Sequence, residues 1–517
     1  MEEFLYEFFV NPFVSLASGL AEVPAAAAEG GALAGLYAVI SAVDGFVWGP
    51  IMILLLLFTH IFMTIRTGFI QRKLGSAIKM SVTEDDPSSA EGDISQFGAL
   101  TTALAATIGT GNIVGVGTGL LFGGPGAIFW MWITGILGMA TKYAEVYIGV
   151  KFRVKDHAGK MLGGAMYALE RGFKNKKLGK VLAVLFAAFA ACASFGIGAS
   201  TQSNSLSDAL YNTKLFDGSA IPAWLVGIIV AVLVGVVIVG GIRSISRVCE
   251  RLVPLMAIFY TVCCIIIIVM NGQFLGEAIR QIIAGAFTPA GAAGGAIGST
   301  ITMAMQFGFK RGIFSNESGM GSAPLVAASA TTRNPARQAL VSMTGTFWDT
   351  VVICLLTGLM LMTTILAHPD IAALVADGTI SSGAALATAA FEAIPVFGPL
   401  VLLVGLITFT YSTMLGWSQY GNRAISYLFG KKAILPYSIV FLVFVFWGCM
   451  MVGSGVDKSL SNVVWDFADI MNALMAIPNC IAVLGLSTLI AKETKHYVYD
   501  GNIEEVDKTE IPQFDEK

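Results

Sequence analysis

The sequence predicts an all-α integral membrane fold with about 11 transmembrane helices. Three observations carry this expectation. Apolar residues make up 56% of the 517-residue chain and charged residues only 13%, against about 25% charged in soluble proteins. Eleven segments approach or exceed the roughly 20 apolar residues that a spanning helix needs. Lys and Arg crowd into alternate loops, as they do on the cytoplasmic side of membranes.

The start, MEEFLYEFF, lacks a basic n-region, so no cleaved leader is expected. Residues 1–45 read as an interfacial N-terminal extension. Residues 46–92 read as a peripheral helix and its cytoplasmic loop, 93–491 as a ten-helix core, and 492–517 as a polar, unordered cytoplasmic tail. The spans are expected near 47–68, 98–121, 126–150, 180–209, 223–241, 252–270, 295–328, 338–366, 398–420, 433–453 and 467–491. Basic residues follow spans one, three, five, seven and nine, for example Arg66, Arg72 and Lys73, then Lys151, Arg153 and Lys155. The alternate loops hold only Lys214, Arg280 and Lys458. That pattern places the N-terminus outside and the C-terminus inside.

Several function classes find no support. The net charge of −3 comes without a basic stripe for nucleic acid. The seven cysteines show no CxxC spacing, so neither a disulfide framework nor a zinc site is expected. His60, His157, His368 and His496 are scattered, and the HExxH, GxSxG and GxxxxGK[ST] motifs are absent.

Two spans contain interruptions. Within Ala103–Gly119, ALAATIGTGNIVGVGTG, the middle residues Gly109-Thr110-Gly111-Asn112 are poor helix formers. Each glycine costs roughly 1 kcal/mol relative to alanine in a helix interior. Backbone groups freed inside a membrane persist only where they line a buried or aqueous space, which makes the segment a candidate site for something small and charged. Close helix packing is the plainer role for glycine and is expected to explain Gly115 and Gly119. It does not need Thr, Gly and Asn together. Span seven holds the second interruption, with Gly308, Gly312, Gly319 and Gly321 around Ser315-Asn316-Glu317-Ser318, and with Lys310 and Arg311. The two broken spans lie five apart. They therefore cross in opposite senses, as inverted five-helix repeats (about 95–270 and 291–491) require, with a site where the repeats meet.

The stretches EGDISQFGALTTALAATIGTGNIVGV, FGGPGAIFWMWITGILGMATKYAEV, RGIFSNESGMGSAP, QALVSMTGTFWDT, YSTMLGWSQYG and MNALMAIPN span about residues 91–490. In them the chain resembles the alanine or glycine:cation symporter family, sodium-coupled carriers of small neutral amino acids. The resemblance implies a LeuT-like inverted repeat with one peripheral helix before the core. It implies alanine or glycine and Na+ as cargo across the lipid bilayer of the cell membrane, with no cofactor and no enzymatic step. Glutamine or another polar neutral amino acid is the alternative cargo, a proton the alternative ion, and a cation channel the rival class.

A zwitterion needs one receptor for its carboxylate and another for its ammonium. The amides of Gly109, Thr110 and Gly111, with the Thr110 hydroxyl, are the candidate carboxylate receptors, because restarted helices present free N–H groups. By alignment with the LeuT-like pattern, the carbonyls of Ala105, Thr107 and Ile108 and the side chain of Asn112 would hold sodium. The resemblance adds the Ser412 and Thr413 hydroxyls and the Phe409 carbonyl to that ion site. Back-bonding to the preceding turn is the ordinary alternative for those hydroxyls. Thr413 also faces the substrate, with Trp417 one turn on as a wall limiting side-chain size. Gln202 is implied as a substrate contact; Asn204 stands between that role and an interhelical hydrogen bond. Phe314 closes over the ligand or simply packs. Asp349 lies near a second cation or pairs with Lys310 or Arg311, the pair being preferred; Lys142 and Glu145 form an internal pair; Glu317 binds Arg311 or caps the second half-helix.

Overall fold

The computed structural model describes residues 11–83, 90–213, 221–288, 301–394, 397–452 and 458–514. Each of the eleven predicted segments contains helix. The first residues expected in span seven, and Lys214, lie outside the described residues. Seven helical stretches among those described are long and apolar enough to cross a membrane. Apolar side chains face outward on them and on shorter helices, as with Val236 and Leu255, 73% and 69% exposed. Such faces need a nonaqueous surround.

The first element, α1 (Asn11–Val47), contains Pro24 and leaves helical geometry at Gly31, where φ is 77°. Residues 11–45 of the predicted extension are therefore helical. A turn at Trp48 and Gly49 leads to α2 (Pro50–Arg66) and then α3 (Leu74–Ser81). Helix α4 (Gln96–Thr107) starts where the Ser95 hydroxyl accepts the Gly98 amide at 2.8 Å. It stops at Ile108, and α5 (Val114–Gly123) resumes beyond a single tight turn at Thr110–Asn112. Next come α6 (Gly126–Lys151) and a two-stranded antiparallel hairpin, β1 (Val154–Lys155) and β2 (Met161–Leu162). The hairpin has no counterpart among the predicted elements. Asp156 shapes it by accepting the amides of Ala158 and Lys160 at 2.7 and 2.9 Å.

After α7 (Ala165–Gly172), the fourth predicted span is one rod made of α8 (Lys176–Ala193), a π-helical turn at Ser194–Ser200 and α9 (Thr201–Thr213). Then follow α10 (Ala223–Val239), α11 (Gly241–Met270) and the amphipathic α12 (Leu275–Phe287). The second interruption separates α13 (Ile301–Asn316) from α14 (Pro324–Ala327). Between them Glu317, Gly319 and Gly321 have φ of 56°, 93° and 75°, the left-handed region that glycine enters without strain. Helix α15 (Pro335–Thr346) joins α16 (Leu355–Ala367) through a second π-helical stretch at Phe347–Cys354. The remaining helices are α17 (Pro369–Ala376), α18 (Gly383–Glu392), α19 (Phe397–Phe429), α20 (Ile434–Met450), α21 (Lys458–Gly485) and α22 (Ser487–Thr494).

Small residues set the helix spacing. A Cβ on Gly308 would lie 2.6 Å from the Ala127 carbonyl oxygen, and one on Gly312 would lie 2.4 Å from Thr134 Oγ1, so α13 lies hard against α6. The packing role expected of Gly115 and Gly119 belongs instead to Gly117. A Cβ there would meet the Gly383 carbonyl oxygen at 2.4 Å, while at Gly115 and Gly119 nothing lies closer than 3.4 Å. The tail is not unordered up to Phe514. Its backbone pairs with the hairpin, Lys155 N to Pro512 O at 2.9 Å and Phe514 N to Lys155 O at 2.7 Å.

Candidate functional site between two interrupted helices

At the first break the helical ladder is redirected. The amide of Gly109, which would close on Ala105, donates to Asn112 Oδ1 at 2.8 Å. The amide of Thr110, which would close on Ala106, donates to Gln202 Oε1 at 3.2 Å. The amide of Asn112 turns to Gly109 O at 3.2 Å, leaving the Ile108 carbonyl to the Thr413 hydroxyl at 3.1 Å. The carbonyls of Ala105, Ala106 and Ile108 thus lose their usual i+4 donors. These carbonyls form a negative pole, and the Gly109 and Thr110 amides, turned to side-chain oxygens, form a positive one.

Three elements fix this turn. Gln202, on α9, also donates to Ile197 O at 3.0 Å within the π-helical turn. Thr413 approaches from α19, so closely that a Cβ on Gly109 would lie 2.4 Å from its Oγ1. The second break approaches from the other side: a Cβ on Gly111 would be 3.2 Å from both Phe314 Cδ1 and Ser315 Cα. A buried carboxylate ties the two breaks together. Asp349 accepts from Asn112 Nδ2 at 2.8 Å, Ser315 Oγ at 2.8 Å and Thr350 Oγ1 at 2.6 Å. Three donors satisfy an anion that burial would otherwise make costly.

The predicted residues are therefore placed as follows. Ile108, Gly109, Thr110, Gly111, Asn112, Gln202, Phe314 and Thr413 converge on the two breaks. Ala105 and Thr107 lie on the last turn of α4, and the Thr107 hydroxyl back-bonds to Leu104 O at 3.2 Å. Ser412 back-bonds to the Phe409 carbonyl at 2.9 Å, the ordinary role for a hydroxyl in such a helix. Trp417 is fully buried against Gly198 of the π-helical turn and edge-on to Tyr420. Asn204 turns away, to Gly448 O at 3.4 Å and the Ser461 hydroxyl at 3.1 Å, on α20 and α21.

One preferred charge pairing is corrected, and one of the two alternatives for Glu317 is not formed. Asp349 does not pair with Lys310 or Arg311. Those cations meet Asp469 at 2.9 Å each, and Lys310 also meets Asp44 at 2.6 Å. The Asn112, Ser315 and Thr350 donors already claim Asp349. Glu317 does not bind Arg311 either; it accepts the Ser322 hydroxyl. The Lys142–Glu145 pair forms at 3.1 Å. Glu145 further accepts the amides of Gly319 and Gly321 and the Asn479 side chain at 2.9–3.1 Å, so this pair anchors the second break. Sequence reasoning missed Asp44, Asp469 and Asn472. The run WDFADIMNAL, which puts two acids and an amide inside a span, was the available signal for the last two. Thr110 Oγ1 and both ends of the buried Asn472 amide have no hydrogen-bond partner among the described residues.

A predominantly helical membrane chain with two interrupted helices that meet has the architecture of a secondary transporter, not of an enzyme. The model of the sodium:alanine symporter family matches residues 34–511, and the chain belongs to that family. It is 46% identical over 460 residues to the sodium/alanine symporter AgcS of Methanococcus maripaludis, covering 89% of this chain and 96% of that one. It is 34% identical over 463 residues to the probable sodium/glutamine symporter GlnT of Bacillus subtilis, covering 89% and 90%. Among solved structures it resembles MhsT in complex with L-phenylalanine, with a TM-score of 0.53 at 15% identity, over 78% of this chain and 99% of that one. That likeness concerns the fold, which is of the LeuT type. Family membership supports sodium-coupled amino-acid symport and a multi-pass membrane location.

Proposed function

We propose that the chain carries alanine or glycine into the cell together with sodium by alternating access. Eleven spanning helices, with the N-terminus outside and the C-terminus inside, comprise one peripheral helix and two inverted five-helix repeats. One observation carries the reading: at a single turn, the Ile108 carbonyl faces the Thr413 hydroxyl while the Thr110 amide faces Gln202. Sodium sits against the carbonyls of Ala105, Thr107 and Ile108 with the Thr413 and Ser412 hydroxyls, the Phe409 carbonyl and Asn112. The substrate carboxylate takes the amides of Gly109, Thr110 and Gly111, replacing the Gln202 oxygen, whose 3.2 Å bond to Thr110 N is long. Gln202 and Thr413 then contact the amino acid, Phe314 covers it, and Trp417 limits its side chain. Sharing one broken helix couples the two ligands, because each stabilises the arrangement the other needs.

Uptake of labelled alanine, glycine and glutamine into proteoliposomes tests this. Concentrative alanine or glycine uptake is expected only with an inward sodium gradient. Uptake driven by a proton gradient alone, or conductance without saturation, would refute the reading. The similarity to GlnT favours glutamine as the second cargo, and preferential glutamine uptake would select it.

A further inference from the structure

Four charged side chains that the transport reading leaves unused lie together on three elements. Lys310 of α13 is 2.6 Å from Asp44 of α1 and 2.9 Å from Asp469 of α21, and Arg311 is 2.9 Å from the same Asp469 oxygen. All four are buried. A charge in such a place is costly when a partner is removed, so the elements that carry these groups are held to one another. Nearby, the Trp48 indole donates to the Asp469 carbonyl at 2.9 Å, and Gln306 of α13 reaches the Trp48 carbonyl at 3.4 Å. Asp466 brings a third carboxylate within 4.8 Å of Asp44 and Asp469. The Lys310 ammonium bonds to Asp44 and Asp469 in that group, so it is an ion-pair network and not a cation site.

The network reaches the ligand site through direct contacts. The Arg311 guanidinium lies over the Phe314 ring, 5.6 Å from its centre. Phe314 stacks on Trp465 of α21 at 5.8 Å and borders Gly111 of the first break. A line of contacts thus runs from the N-terminal helix, through Asp44, Lys310, Asp469 and Arg311, to the ring beside the ligand. It lies on the half-helix before the second break, about two turns from it, on the side assigned above as outer.

We propose that Asp44 is a positioning residue for transport. By sharing Lys310 with Asp469 it weakens that cation's hold on the carboxylate oxygen that also binds Arg311, and this keeps the outer half of the second broken helix closed over the ligand site. The inference rests on the symport reading. A carboxylate from outside the ten-helix core thereby acts on the core. When the outer path opens, α13 must part from α21, and the network is complete only in the closed arrangement. Without Asp44, Lys310 competes with Arg311 for Asp469, and the open arrangement gains population. Apparent affinity falls in proportion to the closed, binding-competent fraction.

The test uses the full chain in proteoliposomes. Asp44→Asn is expected to raise the KM for sodium-driven alanine uptake on the order of tenfold, as when the competent fraction falls tenfold, with a smaller change in kcat. Asp44→Glu is expected to restore the KM. A readout independent of cargo is the modification rate of a cysteine introduced at Trp465 by an impermeant maleimide. In that background Asp44→Asn should speed modification about tenfold on the same arithmetic. If Asp44→Asn fails to fold, Asp44→Ser carries the same two expectations, and adding Lys310→Met should reverse both, because no competitor for Asp469 then remains. An unchanged KM together with an unchanged modification rate would overturn the inference. Loss of uptake by the unmodified chain would sink the symport reading alone, because the thiol rates still decide the role of Asp44.

Discussion

Gly109 shows how one atom can separate a binding turn from a mere bend. Its φ of −146° suits any residue, so backbone strain does not demand glycine there. The demand is for space: an added Cβ would lie 2.4 Å from Thr413 Oγ1 and 3.1 Å from Gln202 Oε1. Gly109→Ala should therefore fold and insert, yet push away the two side chains that read the freed poles. Overpacking of this kind costs about 1–3 kcal/mol, so sodium-driven uptake should fall roughly tenfold to a hundredfold. Normal uptake by a well-folded variant would remove this turn from the site. Trp417 makes a different demand. It packs against Gly198, so Trp417→Ala opens space beside the π-helical turn that also holds Gln202. Uptake should then extend from alanine to larger neutral amino acids, measured as competition by serine, glutamine and leucine. Unchanged selectivity would refute its role as the wall.

At the scale of elements, the second interruption depends on Glu145. One carboxylate closes the amides of Gly319 and Gly321, holds Asn479 and pairs with Lys142. Glu145→Ala would strip both amides of their acceptor and leave Lys142 buried without its carboxylate, and breaking a buried pair costs about 3–5 kcal/mol. The folded yield and melting temperature in detergent should drop sharply. Lys142→Met combined with Glu145→Gln should recover much of the loss, since no lone charge remains; no recovery would mean that the amide contacts, not the pair, dominate. How far these elements were legible follows from range. The Lys142–Glu145 spacing is local, so sequence showed the pair. Both interruptions were legible for the same reason, because clustered glycines and polar residues disfavour helix within their own segments. The partners of Asp349 were not, since a carboxylate in an apolar helix reveals need but not which distant donors meet it. Asn112 and Ser315 come from two other spans, 237 and 34 residues away. Asp44 stayed hidden for another reason: it lies in a segment whose weak hydropathy pattern suggested a helix resting at the interface.

On the scale of the whole molecule, the C-terminal tail closes a belt across the basic end of the bundle. Asn334, which caps α15, donates to the Ile503 and Glu505 carbonyls at 2.8 and 2.9 Å. Arg333 and Arg337 each reach Glu504 at 2.7 Å, and Lys151 at the end of α6 reaches Asp507 at 2.9 Å. Phe514 then sets its ring against Tyr167 of α7 and Tyr427 of α19. Exposed ion pairs contribute about 0–1 kcal/mol each. The weight rests instead on the buried Asn334, whose amide truncation after Asp500 would strip of these contacts. Unmet buried polar groups cost about 1–3 kcal/mol each, so the truncated chain should melt at a clearly lower temperature. An unchanged melting point would mean that the belt adds no stability. Acidity offers an independent check. Burial raises the Asp507 carboxyl, but Thr509 and Lys151 outweigh it and hold the group below its usual value. A carboxyl depressed in the folded state stabilises fully above its unfolded pKa of about 3.9, and that stability is lost only as pH falls toward the lower folded value. Protection of tail amides from hydrogen exchange, corrected for the intrinsic rate, should therefore stay level from about pH 5 to 8 and decline only below about pH 4. A decline centred well above pH 4 would mean that the Asp507 carboxyl does not control the belt.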